Sequence, residues 1–200
     1  MALEGVWDER MSLDARVRAL LAQGLHREAA SLAIQELGPQ VLSYLSAILR
    51  SEADAYEVFS QFAEDLWRGL PTFRGEATLR GWAYRVAWHA SARFVRDPYR
   101  QRGRRLETSE ASRLAEEVRS GLAPEQMWRT ERLAQLRETL DAEEKTLLIL
   151  RVDRGLSWRD VAQVLVEDGA SPPAEATLRK RFERLKVKLG KAARDQGLLD

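Results

Sequence analysis

The 200-residue chain contains no cysteine and only two histidines, which limits the chemistry that it can carry. Without cysteine there are no disulfides and no thiolate ligands, and His26 and His89 stand far apart in sequence. Apolar runs such as residues 147–150 fall far short of the roughly 20 residues that a membrane span needs. Residues 1–10 are acidic and do not resemble a signal peptide. We therefore expect a cytoplasmic protein with no metal, no cofactor and no membrane insertion.

A catalytic constellation is also missing from the sequence. The serines have no histidine base nearby, the carboxylates fall on solvated helix faces, and no glycine-rich phosphate loop is present. These observations argue against an enzyme and against a small-molecule substrate.

Net charge is small, at +1, but it is strongly segregated along the chain. Residues 1–67 carry a net charge of −6 and residues 107–174 a net charge of −5. Residues 68–106 carry +8 and residues 175–200 carry +4. Basic blocks release counterions from phosphates, whereas acidic blocks are free to face a basic protein partner.

Period-two alternation is absent, and nearly every apolar cluster recurs at three- and four-residue intervals. The sequence therefore predicts an all-α fold of two small helical domains joined by a flexible linker. We place the first domain at residues 1–96, the linker at 97–124 and the second domain at 125–200. A short helix around residues 106–118 is compatible with the linker, although it would be marginal alone.

Local signals predict where individual helices begin and end. Gly38-Pro39 predicts a helix break, and Thr78 predicts the cap of a helix that reaches residue 96. Asp141 with Glu144 three residues later predicts a capping box. Further along, Gly155 predicts a stop and Ser157 a new start.

Two basic helical segments suit different nucleic-acid structures. Residues 73–96 mix arginine with aromatic side chains, which suits phosphates and unstacked bases together. Residues 157–189 read as a helix-turn-helix, which suits duplex DNA. A protein with both can hold a double strand at one end and an opened strand at the other, as promoter recognition and melting require.

Four stretches resemble a known family in the same order along the chain. They are residues 54–59 (DAYEVF), 70–87 (LPTFRGEATLRGWAYRVA), 156–162 (LSWRDVA) and 176–181 (ATLRKR). Together they resemble the bacterial RNA polymerase sigma factors of the sigma-70 family, in particular the extracytoplasmic-function group. The similarity spans about residues 16–192. It implies a sigma region two in the first domain and a region-four helix-turn-helix in the second.

The chain departs from the family pattern at three places. Ser60-Gln61 stands where the family usually has a Gln-Glu pair, and His89 and Arg93 replace the usual Asn and Asp. The loop at 166–176 is about six residues longer than usual, which matters because a helix-turn-helix normally has a tight turn.

The resemblance implies that region two holds the non-template strand of the minus-ten element, where stacking is worth roughly 1–3 kcal/mol per base. Trp82 is the more probable core residue, whereas Trp88 suits the core and base stacking about equally. The candidate minus-ten residues are Arg74, Arg80, Arg85, Trp88, His89 and Arg93.

The resemblance also implies that region four reads the minus-thirty-five element as duplex, with one or two side chains on bases and the rest on phosphate. Without it, a basic helix face would more often be merely solvated. The candidate minus-thirty-five residues are Thr177, Arg179, Lys180, Arg181 and Arg184.

The expected partners are promoter DNA and the clamp and flap regions of core RNA polymerase, and the family often works with an anti-sigma factor. Asp54, Glu57 and Gln61 share one helix face and are the candidates for the polymerase contact. Two alternatives remain open. One is a stand-alone helix-turn-helix regulator, which leaves the arginine-aromatic segment unexplained, and the other is a helical adaptor that binds protein only.

Overall fold

The computed structural model describes residues 12–49, 51–96, 109–121, 139–166 and 170–196. These residues form helices and connecting turns with no strand among them, which confirms the all-α prediction. A 3₁₀ turn, Leu70–Thr72, follows α3, and a π-helical turn, Ile149–Asp153, follows α6. The helices are α1 (Leu13–Ala22), α2 (His26–Ile48), α3 (Glu52–Gly69), α4 (Leu79–Arg96), α5 (Ser109–Gly121), α6 (Ala142–Leu148), α7 (Trp158–Val164) and α8 (Glu175–Asp195).

The helix starts that local chemistry predicted are present. Asp141 and Glu144 make the expected capping box at α6, because each side chain accepts from the other's backbone N–H. The Ser157 side chain accepts from the backbone N–H of Asp160 at the start of α7. The Thr78 hydroxyl accepts from Gly81 N at 3.0 Å, so it caps α4 as predicted.

The predicted helix break at Gly38-Pro39 is wrong, since α2 continues through both residues to Ile48. Proline removes one backbone hydrogen bond from a helix interior, and that loss alone favours a break. Here Leu37 and Val41 are buried on either side of the proline. Burial of the surrounding apolar face therefore holds α2 together across the defect.

The core is built on α2, α3 and α4. The rings of Tyr44 and Tyr84 meet edge to face at 5.3 Å between α2 and α4, and Phe59 stacks on Phe62 within α3. Apolar residues of α6, α7 and the intervening turn, among them Leu150, join the same buried cluster. The described helices therefore share one continuous apolar interior.

The segment predicted as a linker contains a helix, α5, that packs on α2 and α3. Its inward face consists of Ala111, Leu114, Ala115 and Val118, all buried. This packing stabilises a helix that would be marginal in isolation. The rest of the predicted linker, and the apolar pattern predicted to open the second domain at residues 127–138, lie outside the described residues.

Two tyrosines lie where the amino-terminal and carboxy-terminal helices meet. The Tyr44 hydroxyl shares a buried hydrogen bond of 3.1 Å with the Thr146 hydroxyl of α6. Burial raises the pKa of Tyr44 above its ordinary value. Burial likewise raises the pKa of Tyr84, although the nearby cations Arg154 and Arg80 oppose the rise.

Candidate nucleic-acid interface

The six predicted minus-ten residues lie on α4 and on the loop before it. Arg74 and Arg80 are exposed, while Arg85, Trp88, His89 and Arg93 are half-buried on α4. Cations on the surface can contact phosphates without any change in the protein, whereas the half-buried groups offer only part of their surface. The set therefore grades from exposed arginines at the amino-terminal end to enclosed groups further along.

Arg93 already has a partner within the fold. Its guanidinium makes an ion pair with Asp65 of α3, and the two side chains are 37% and 30% exposed. The carboxylate compensates much of the charge that a phosphate would otherwise meet. Of the four half-buried candidates, Arg93 is thus the one with an ionic partner inside the protein that a nucleic acid would have to displace.

The tryptophans of α4 divide as the helical spacing suggests. Trp82 packs its ring against Phe73 at 5.3 Å between centroids and lies directly over Gly69. A Cβ on Gly69 would stand 3.2 Å from the Trp82 ring, so the glycine leaves room for it. Trp88 is half-buried and packs at the edge of the core. Trp88 keeps an open part of its ring, which suits either of the roles predicted for it.

Two acidic side chains from other helices meet the amino-terminal end of α4, and sequence reasoning did not identify either role. Leu79 N donates to the Asp14 carboxylate of α1 at 2.9 Å. Thr78 N donates to the Asp160 carboxylate of α7 in a long hydrogen bond of 3.5 Å. Negative charge is favourable at this end of a helix, because the first backbone N–H groups carry partial positive charge. The only local signal was that Asp160 falls three residues after Ser157.

A cavity of about 340 Å³ opens where these side chains converge. Its lining includes Asp14 and Asp160 on one hand and Arg80 and Arg154 on the other. Acidic and basic groups are therefore mixed, and the cavity does not present a single sign of charge to a ligand.

The predicted helix-turn-helix is formed by α7 and α8, with an extended connection between them. Trp158 of α7 packs edge to face on Phe182 of α8 at 5.6 Å, and the Arg151 guanidinium lies over its other side at 4.8 Å. Ten residues, 165–174, separate the two helices, compared with the usual three or four. Residues 167–169 of this connection lie outside the described residues.

All five predicted minus-thirty-five residues are exposed on α8. Arg179 pairs with Glu175 of the same helix at 3.0 Å, and Arg181 pairs with Glu143 of α6. Nearby, Lys188 contacts Glu144 of α6 at 2.6 Å. Acidic side chains of the capping-box turn thus hold part of the basic face of α8. The predicted residues in this face are Thr177, Arg179, Lys180, Arg181 and Arg184.

The predicted polymerase-binding face of α3 is only partly open. Asp54 and Glu57 are half-buried, and Gln61 is just 5% exposed. The neighbouring Tyr56 carries the Arg119 guanidinium of α5 over its ring at 4.6 Å. The structure therefore brings Asp54 and Glu57 to the surface beside α5 and leaves Gln61 inside.

The arrangement suits binding to polyanions and proteins, with no sign of catalysis. Among the described residues, no group of three His, Cys, Asp or Glu side chains could hold a metal ion. In the same part of the chain, no helix is long and apolar enough to cross a lipid bilayer.

Residues 33–102 match the family model described as sigma-70 region 2. The match covers most of α2, all of α3 and all of α4, and it therefore includes every candidate minus-ten and polymerase-binding residue. The helices α6 to α8 lie outside it. No curated protein gives a significant match to the chain. The family match supports a relationship to sigma-70 transcription initiation factors over this part of the sequence.

Proposed function

We propose that the protein is a sigma factor of the extracytoplasmic-function group, which binds core RNA polymerase in the cytoplasm, recognises promoter DNA and helps to open it. The observation that carries this proposal is the coincidence of two independent features on one helix. The region-two match includes all of α4, and α4 with its preceding loop holds the exposed arginines and the half-buried tryptophan. Polymerase would supply the chemistry, and this chain would supply binding energy.

The surface of α4 suits a single strand with exposed bases. Arg74 and Arg80 are placed to follow phosphates, while Trp88 and His89 present partly open rings on which a base can stack. Arg85 lies one helical turn before His89 and extends the same face. Arg93 would join this surface only by exchanging Asp65 for a phosphate, so we expect it to contribute least.

For the duplex reader, we propose α8 as the recognition helix. Among the described residues, Lys180 and Arg184 have no ion pair, whereas Arg179 and Arg181 are held by carboxylates. Arginine binds guanine through two parallel hydrogen bonds, and each good pair discriminates by roughly 1–3 kcal/mol. We therefore expect Arg184 to be the strongest candidate for a base contact, with the others nearer to phosphate.

Polymerase binding is assigned to the acidic face of α3. Asp54 and Glu57 offer carboxylates at the surface, and acidic groups there suit a basic partner. Gln61 would contribute only if its cover moved, because it is buried in the free chain. The domain boundaries follow from this assignment, with polymerase and minus-ten binding in residues 1–96 and minus-thirty-five binding in 125–200.

The test is co-migration of the purified chain with sigma-free core RNA polymerase on size exclusion. We expect a stable complex that is lost in the charge-reversal variant Asp54→Lys/Glu57→Lys. The matched control is Glu28→Lys/Glu36→Lys, which reverses two exposed carboxylates on α2 and should still bind. Elution of the natural chain as a free dimer would instead favour a stand-alone helix-turn-helix regulator. Binding without promoter opening would favour an adaptor.

A further inference from the structure

The helix α7 packs against the amino-terminal half of α4, so that the duplex-reading and strand-holding helices belong to one body. Asp160 of α7 is 9% exposed at this contact, which we name the α7 interface. One of its carboxylate oxygens accepts from Thr78 N at 3.5 Å, and the other accepts from the Ser157 hydroxyl at 2.9 Å. The Arg159 guanidinium donates to the carbonyl of Glu76 at 3.3 Å.

Two further contacts join the same halves of the molecule. The Tyr44 and Thr146 hydroxyls share their buried hydrogen bond between α2 and α6. The Arg154 guanidinium donates to the carbonyl of Gln40 at 3.3 Å. Buried side chains of α7, among them Val161, extend the apolar core across the boundary. The association therefore combines apolar burial with polar contacts that are specific in geometry.

Gly81 in the first turn of α4 is the residue that lets α7 approach. A Cβ at this position would stand 2.9 Å from a carboxylate oxygen of Asp160 and 3.2 Å from its Cβ. Separations under 3.0 Å require the neighbour to move, and Asp160 is held by its own hydrogen bonds. The absence of a side chain at position 81 is thus part of the α7 interface.

The dimensions of this closed arrangement conflict with those of a promoter. The minus-ten and minus-thirty-five elements lie about 25 base pairs apart, which at about 3.4 Å per step is roughly 85 Å along B-form DNA. In the protein, α8 packs on α7 and α7 on α4. One helix diameter of about 10 Å plus the roughly 32 Å length of the 21-residue α8 cannot span that distance.

From these contacts and dimensions we infer that the free chain is held closed at the α7 interface and must release α7 from α4 before it can engage both promoter elements. This inference rests on the proposed function. Core polymerase, which binds the chain through α3 in that proposal, is the partner that selects the open arrangement. A ligand can shift such an equilibrium only by binding one state more tightly, and the promoter-length complex excludes the closed state.

The first experiment leaves the α7 interface unchanged. Because the chain has no cysteine, Val95→Cys/Val187→Cys creates two exposed labelling sites, one at the end of α4 and one on α8. Resonance energy transfer between dyes at these sites should be high in the free chain and fall when core polymerase and promoter DNA are added. Low transfer in the free chain would overturn the closed state. Unchanged transfer in a complex that co-migrates with polymerase and opens the promoter would overturn the release step.

The second experiment locks the interface. In Gly81→Cys/Asp160→Cys the two Cβ atoms would lie about 3.2 Å apart, close to the roughly 3.5–4.5 Å of natural disulfides. We expect the bond to form in the folded chain under mild oxidation, and the oxidised protein to bind a two-element promoter with polymerase at least tenfold more weakly. Reductant should restore binding. Equal binding before and after reduction would overturn the inference.

Controls separate this inference from the function on which it rests. The single variants Gly81→Cys and Asp160→Cys, oxidised in the same way, should keep free thiols and unchanged binding on reduction. If the natural chain failed to co-migrate with core polymerase, the proposed function would fail, while energy transfer in the free chain would still report whether α7 rests on α4.

Discussion

Two glycines, Gly38 in α2 and Gly81 in α4, each mark a place where another helix approaches closely, but the two contacts differ in chemistry. A Cβ on Gly38 would stand 3.0 and 3.2 Å from the methyl groups of Val118 and 3.3 Å from the Phe59 ring. We call this contact of α5 with α2 and α3 the α5 interface. At Gly81 the neighbour is the Asp160 carboxylate.

The difference predicts how each interface responds to conditions. Burial of apolar surface stabilises the α5 interface, and this contribution does not depend on charge. The α7 interface also relies on a carboxylate facing backbone N–H groups at the start of α4. Salt screens such contacts, so the α7 interface is the more readily released of the two.

The largest expected effect comes from weakening the α5 interface in its apolar centre. Leu114→Ala removes a side chain that is 1% exposed, and we expect it to lower the free energy of unfolding by about 2–5 kcal/mol. Urea unfolding followed by circular dichroism measures this change. Arg113→Ala alters an exposed neighbour and should stay within about 0.5 kcal/mol of the natural chain. A similar loss in both variants would contradict the apolar account of this interface.

A smaller effect is expected at the polar joint between α2 and α6. Tyr44→Phe leaves the fully buried Thr146 hydroxyl without its partner, at a cost of about 1–3 kcal/mol. Thr146→Val should cost a similar amount for the reciprocal reason. Adding the second substitution to the first should cost less than it does in the natural chain, because no orphaned hydroxyl remains. Fully additive losses in this double-mutant cycle would show that the hydrogen bond does not couple the two residues.

The smallest effect is a loss of stability at alkaline pH. Burial raises the pKa of Tyr44, so the folded chain keeps a proton that the unfolded chain loses above about pH 10. Stability from this group is complete below that pH and declines as the pH rises, by at most about 1.4 kcal/mol per pH unit. The comparison is urea unfolding of the natural chain and Tyr44→Phe at pH 8 and pH 11. A stability difference between them that does not change with pH would rule out this contribution from Tyr44.

Local features of the fold were predictable from the sequence because they depend on neighbouring residues. The capping box at Asp141 and Glu144 and the caps by Thr78 and Ser157 need only three-residue spacings, and all are present. The break at Gly38-Pro39 was predicted wrongly for the same reason. Local propensity favours a break there, and only packing across α2 outweighs it.

Long-range contacts at the candidate site were beyond such reasoning. Nothing near Arg93 in sequence indicates that Asp65 would be its partner, 28 residues earlier. Likewise, the pattern that groups Asp54, Glu57 and Gln61 on one helix face does not reveal that Gln61 is buried. The candidate residues were identified by type and spacing, whereas the partners already held by some of them depend on tertiary structure.

The unbroken course of α2 has a consequence for cooperativity. This 23-residue helix contacts α1, α3, α4, α5 and α6, so it joins nearly every part of the described fold. An element that is buried by so many neighbours can open only when most of them separate. The backbone amides around Val41 to Leu45 should then exchange with solvent hydrogen only through global unfolding. Peripheral helices such as α7 can detach while this central helix stays intact.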